Sequence, residues 1–159
     1  MRFSSVSIFL WSFFIGVFYA PFAFSSAGSP ACATYESKGA LAIGDRCGNA
    51  VYVGSINGEQ LYAEATGRRE KRGWAAATAT CADLGRGWRV PNKSELKLLF
   101  DHRDSGALAG TLDSGRHWSS SRATGISTPW ILDFSAGEEG IASDGNRFAF
   151  RCVWSQGME

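Results

Sequence analysis

The densest charge in the sequence is Arg68-Arg69-Glu70-Lys71-Arg72, four cations within five positions. Arginine forks grip sulfate or phosphate oxygens two at a time. Arg68, Arg69, Lys71 and Arg72 are therefore the candidate ligand-binding residues, aimed at an anionic polymer. The competing reading is a solvated loop or a protease-sensitive site, and the balanced charge of the whole chain favours it. Glu138, Glu139, Asp144 and Asn146 offer oxygens from neighbouring loops. A hard-cation site takes roughly six to eight oxygens at set spacing, which these residues do not provide. They read as solvated turn residues, and no metal and no other cofactor is expected.

Catalytic chemistry has little to work with. His102 and His117 are not spaced as a His-x-x-x-His zinc pair. Ser119-Ser120-Ser121 lacks the Gly-x-Ser-x-Gly nucleophile setting. There is neither a Walker loop nor a Gly-x-Gly-x-x-Gly. Cysteines 32, 47, 81 and 152 are expected to be oxidised, which removes them as nucleophiles. No catalytic residue is assigned, and a non-enzymatic role is expected.

The cysteine reading rests on the compartment. Of 159 residues, the first 24 hold seven of the 11 Phe and a single charge, Arg2. Ile8 to Phe24 is a mostly apolar run, and Ser25-Ser26-Ala27 supplies small residues for cleavage before Gly28. Residues 1–27 read as a signal peptide. An exported chain follows, destined for the periplasm, the cell surface or secretion, with no membrane insertion after cleavage. Removing Arg2 from 16 Lys+Arg leaves 15 cations against 15 Asp+Glu. That balance argues against nucleic acid as a partner. An even cysteine count in an exported chain implies disulfides, and four cysteines allow three connectivities.

Residues 28–42 read as an extended lead-in and residues 43–159 as one domain. Val51-Tyr52-Val53 is a β-rich run, Asn57-Gly58 a two-residue hairpin signal, and Leu61-Tyr62 the return strand. Trp74 to Leu84 is an Ala-rich helix ended by Gly85, with Trp74, Ala77, Cys81 and Leu84 on one face. Asn92 caps a second helix, and Glu95 completes a capping box. Its buried stripe is Leu96, Leu99 and Phe100. Asp101 to Arg116 is loop-like. Strands are expected at 117–120, 130–134 and 148–154. In the last, Phe148, Phe150, Cys152 and Trp154 share the inner face. Cys81 and Cys152 thus both point inward. Their pairing would tie the first helix to the last strand, and Cys32–Cys47 would close a small N-terminal loop. Trp74, Trp88, Trp118 and Trp130 could stack on sugar rings, but core packing is the better reading for each.

These residues also carry a resemblance. Gly44-Asp45-Arg46-Cys47-Gly48 opens the pattern, and Trp74 with Ala77 and Cys81 follows. Then come Gly87-Trp88-Arg89-Val90-Pro91-Asn92-Lys93-Ser94-Glu95-Leu96, His117-Trp118-Ser119-Ser120-Ser121, and Arg151-Cys152-Val153. The chain resembles, over about residues 43–154, the bacterial family named for the C-terminal domain of the Legionella collagen-like protein. The resemblance implies an α+β, C-type-lectin-like fold: two helices around a small, mostly antiparallel, loop-rich sheet, stapled by disulfides. It also supports the Cys81–Cys152 pairing. The Glu-Pro-Asn and Trp-Asn-Asp tripeptides of calcium-dependent sugar binding are missing. Fold alone does not fix function. The expectation is an exported, non-catalytic binding module for a glycan or an envelope protein, reading its ligand through residues 101–116 and 121–129. The alternative is a structural subunit of a pilus or cell-envelope complex, and an uncharacterised enzyme ranks third. The sequence carries no signal for oligomeric state.

Overall fold

The computed structural model describes residues 41–157. The predicted signal peptide and Cys32, one half of the predicted Cys32–Cys47 bridge, lie outside the described residues. The described chain is α+β, with two helices and two small antiparallel sheets. The resemblance implied one small, mostly antiparallel sheet, and the described strands form two.

The first sheet has the order β1-β2-β3-β7. Its strands are β1 (Arg46–Cys47), β2 (Ala50–Ile56), β3 (Glu59–Glu64) and β7 (Val153–Gly157). The expected hairpin joins β2 to β3 with Ile56 opposite Glu59. Asn57 (φ 52°) and Gly58 (φ 78°) both take left-handed backbone, the geometry that suits the strand twist. Alternation along these strands feeds two cores. Ala50, Tyr52 and Tyr62 face one cluster, whereas Val51, Val53, Leu61 and Ala63 face the other.

Helix α1 (Trp74–Ala82) covers the first cluster, with Ala77 and Cys81 buried. It ends at Asp83, just before Gly85 (φ 121°). Helix α2 (Lys93–Asp101) covers the second through Leu96 and Leu99. Its capping box is present as expected. Asn92 Oδ1 accepts from Glu95 N–H (2.9 Å), and Glu95 Oε2 accepts from Asn92 N–H (2.7 Å). Glu95 also receives both Arg89 nitrogens, at 2.6 and 2.7 Å, while itself almost wholly buried. The Arg89-to-Glu95 stretch is thus a cap and a buried network in one.

The second sheet has the order β4-β5-β6, from β4 (Arg116–Arg122), β5 (Pro129–Asp133) and β6 (Glu138–Ile141). Strand β6 was not expected. Glu138-Glu139-Gly140 has poor β-propensity, and pairing with β5 rather than composition makes the strand. Strand β7 is shorter than predicted and begins at Val153. Phe148, Phe150, Cys152 and Trp154 do share one face, packed on the first cluster. The opposite face is buried as well, because residues 148–152 run between neighbours on both sides. Phe148 exchanges backbone bonds with Arg72, and Ala149 bonds to Arg116 and Trp118. The Cys81–Cys152 disulfide crosses this region, with Cα atoms 5.2 Å apart and 71 residues of separation.

Candidate ligand-binding cleft

The long connection from α2 to β4 is built from close contacts. A short 3-10 helix (Gly106–Leu108) buries Leu108 in the second cluster. Ala107 N–H donates to Gly44 O (2.9 Å). A Cβ at Gly106 would stand 2.6 Å from that oxygen, so the approach requires glycine. Arg151 fixes the far side of the connection. Its side chain is 1% exposed. Nη1 donates to Thr66 O and Thr111 O, and Nη2 to Thr111 Oγ1, all at 3.1 Å. Nε has no partner among the described residues. Burial pulls the pKa of Arg151 down to about 10, with Glu64 acting in the opposite direction. A buried cation thereby ties residues 66 and 111 to the segment carrying the disulfide.

These ties hold open a cleft of about 180 Å³, lined by Arg103, Asp104, Leu112, Asp113, Ser114 and Phe134. Phe134 belongs to the floor. It stacks on His117 at 4.0 Å between centroids and meets Phe100 edge-on at 5.4 Å. His117 is 2% exposed, and its Nδ1–H donates to Gly115 O (2.9 Å). Burial drives the pKa of His117 down to about 4, against the opposing pull of the Gly115 bond and of Asp113. The ring is therefore neutral at pH 7 and packs as an aromatic. At the rim, Arg103 lies over the Phe100 ring (4.2 Å) and donates to Phe100 O (2.8 Å). One cation, two carboxylates and a hydroxyl thus surround an apolar floor. Such a set can donate to and accept from hydroxyl groups, above a Phe134 ring that is itself buried against His117 and Phe100. The volume is under the roughly 300 Å³ at which drug-sized pockets begin, so it suits one end group of a larger ligand.

The basic run does not form a four-cation cluster. Arg68 is gripped by Glu64 through two bonds of 2.7 and 2.8 Å. Arg72 pairs with Glu70 at 2.8 Å, which holds the Glu70 carboxyl below its usual range. Arg69 and Lys71 are exposed. Two carboxylates explain the difference, Glu70 inside the run and Glu64 four residues before it.

The 121–129 connection is braced by a second cation. Arg122 lies over the Trp74 ring (4.1 Å) and reaches Asp144 Oδ2 (3.1 Å). The tip leaves Ile126 60% exposed. Trp88 and Trp118 are core residues, and Trp74 packs against the core. Trp130 departs from that expectation. It lies outside both clusters, under Lys93 (3.8 Å), which in turn pairs with Glu139 (2.7 Å). Glu138 and Glu139 stand on a strand rather than in a loop. Among the described residues, no group of three or more His, Cys, Asp or Glu is placed to hold a metal ion. No described helix is long and apolar enough to cross a membrane.

The sequence pointed to residues 101–116, where Asp101-His102-Arg103-Asp104 read as a polar helix end, but did not mark Asp113 or Phe134 as part of a site. Alternation past Phe150 and Cys152 would have put Arg151 in solvent, so no local signal marked it. A family model described as the Lcl C-terminal domain matches residues 44–154. No curated protein matches the chain.

Proposed function

We propose that the chain, which belongs to the Lcl C-terminal domain family, is an exported, non-catalytic binding module for a glycan or another envelope or surface component. The observation that carries this reading is the cleft of the α2–β4 connection. Arg103, Asp104, Asp113 and Ser114 ring the Phe134 floor on a scaffold fixed by Arg151, Gly106 and the disulfide. Rigid loops with polar rims and apolar floors recognise ligands, and no covalent chemistry is needed there. An extracytoplasmic location accords with a buried disulfide between helix and terminal strand.

The test is a glycan array run beside a pull-down from the producing cell's own envelope, each with and without chelator. Glycan signal that weakens in Asp104→Ala and Asp113→Ala supports the reading. A stoichiometric envelope partner with no glycan signal instead supports a structural subunit.

A further inference from the structure

The second sheet ends in an open edge, away from the cleft residues that carry the proposed function. Strand β5 covers one side of β6, and no described element pairs with the other. Ala142 N–H donates to Pro129 O (3.1 Å), directly beyond the end of β6. Inward and outward amides alternate along an antiparallel strand. Glu139 and Ile141 therefore turn their backbone N–H and C=O groups outward. Such edges are usually blunted by charge, proline, bulges or a covering segment. Here the only charges are Glu138 and Glu139, and Lys93 already neutralises Glu139.

The two faces beside this edge differ. On one face, register puts Arg116, Asp133 and Glu138 in one row across the sheet and Trp118, Ile131 and Gly140 in the next. A hollow of about 200 Å³ opens there, with Ile131 at its base and no side chain at Gly140 to fill it. Arg116 Nε lies 3.6 Å from Asp133, so among the described residues Glu138 is the carboxylate of this row without a cation. On the other face Ile141, 46% exposed, stands opposite Trp130.

We propose that β6 accepts an added strand from an extended partner peptide. A Lys or Arg of that peptide faces Glu138, and an apolar residue lies beside Ile141. Glu138 and Ile141 are three positions apart, the odd spacing that sends partner side chains to opposite faces. Backbone bonds at Glu139 and Ile141 supply the affinity, and the two side chains supply the selection. This site is separate from the cleft and does not depend on it.

The test titrates the full chain with three end-capped peptides and follows backbone amide shifts. One alternates valine and threonine around a single lysine. The second replaces that lysine with glutamate, and the third carries a central proline. The lysine peptide is expected to shift the amides of Glu139 and Ile141. It should bind about tenfold tighter than the glutamate peptide, because an exposed attraction becomes a repulsion of similar size. The proline peptide should fail to bind. Glu138→Lys should reverse the charge preference. Ile141→Pro should abolish binding without loss of folding, since the amide that it removes points outward. If that variant does not fold, the Glu138→Lys reversal still decides. Equal affinity for both charges, shifts confined elsewhere, or a dimer of the chain occupying the edge would overturn the proposal.

Discussion

Lowering the pH from 7.5 to 5 is expected to remove about 2 kcal/mol of stability through His117 alone. In the unfolded chain a histidine titrates near 6.5, whereas burial holds His117 at about 4. Between those values the folded state carries fewer protons than the unfolded state. The contribution is therefore complete above about pH 6.5 and is lost as pH falls toward 4. The whole gap corresponds to about 3 kcal/mol, at roughly 1.36 kcal/mol per pH unit. His117 is 2% exposed, so solvent screening takes little from that figure. Glu70 and Asp133 are held below their ordinary values and lose stability only in stronger acid. The assay is urea unfolding at pH 7.5, 6 and 5 for the wild type and for His117→Gln. The wild type should weaken across the series, and the variant should show a shallower slope from a lower starting point. An imidazole NMR titration should place the midpoint near 4. A midpoint near 6.5, or equal slopes in the two proteins, would refute the burial argument. The consequence reaches the cleft, because His117 backs the Phe134 floor and its protonation places a poorly solvated charge there.

Arg151→Met removes three hydrogen bonds and leaves Thr66 O and Thr111 O unpaired. Relief of the buried charge offsets part of that loss, and about 2 kcal/mol of destabilisation is expected, measured by urea unfolding. Hydrogen exchange should also quicken around residue 111, which then keeps, among the described residues, only its bonds to Leu108 O. Glu95→Ala breaks the capping box and strands Arg89, for a loss of about 3 kcal/mol in the same assay. Replacing Cys81 and Cys152 together by Ala should lower stability by about 4 kcal/mol, from a closed loop of 71 residues. Calorimetry with and without reductant checks that figure.

Much of the scaffold was legible because its signals are local. Asn57-Gly58 names its own turn, Asn92 and Glu95 name a helix start, and the spacing of Ala77 and Cys81 names a buried face. The Cys81–Cys152 pair followed from two such periodicities meeting. What escaped depends on partners distant in sequence. Glu138 to Ile141 becomes a strand only against β5, and the single expected sheet becomes two. Arg151 is buried because chain passes on both sides of it, which alternation along one strand cannot reveal. Arg68 reads as an available cation along the chain, but Glu64, at the end of β3, holds it. The cleft gathers residues from three separate stretches, so the sequence indicated its main loop but not its floor.

The central claim is that the α2–β4 connection binds a ligand without transforming it. The most direct measurement is an NMR titration of the protein with the strongest glycan found on an array, with the glycan re-examined afterwards. The account predicts amide shifts gathered at Arg103, Asp104, residues 110–114 and Phe134. It also predicts their loss in Asp113→Ala at unchanged melting temperature, and an intact glycan at the end. Shifts gathered elsewhere, binding that survives Asp113→Ala unaltered, or a cleaved or modified glycan would contradict it.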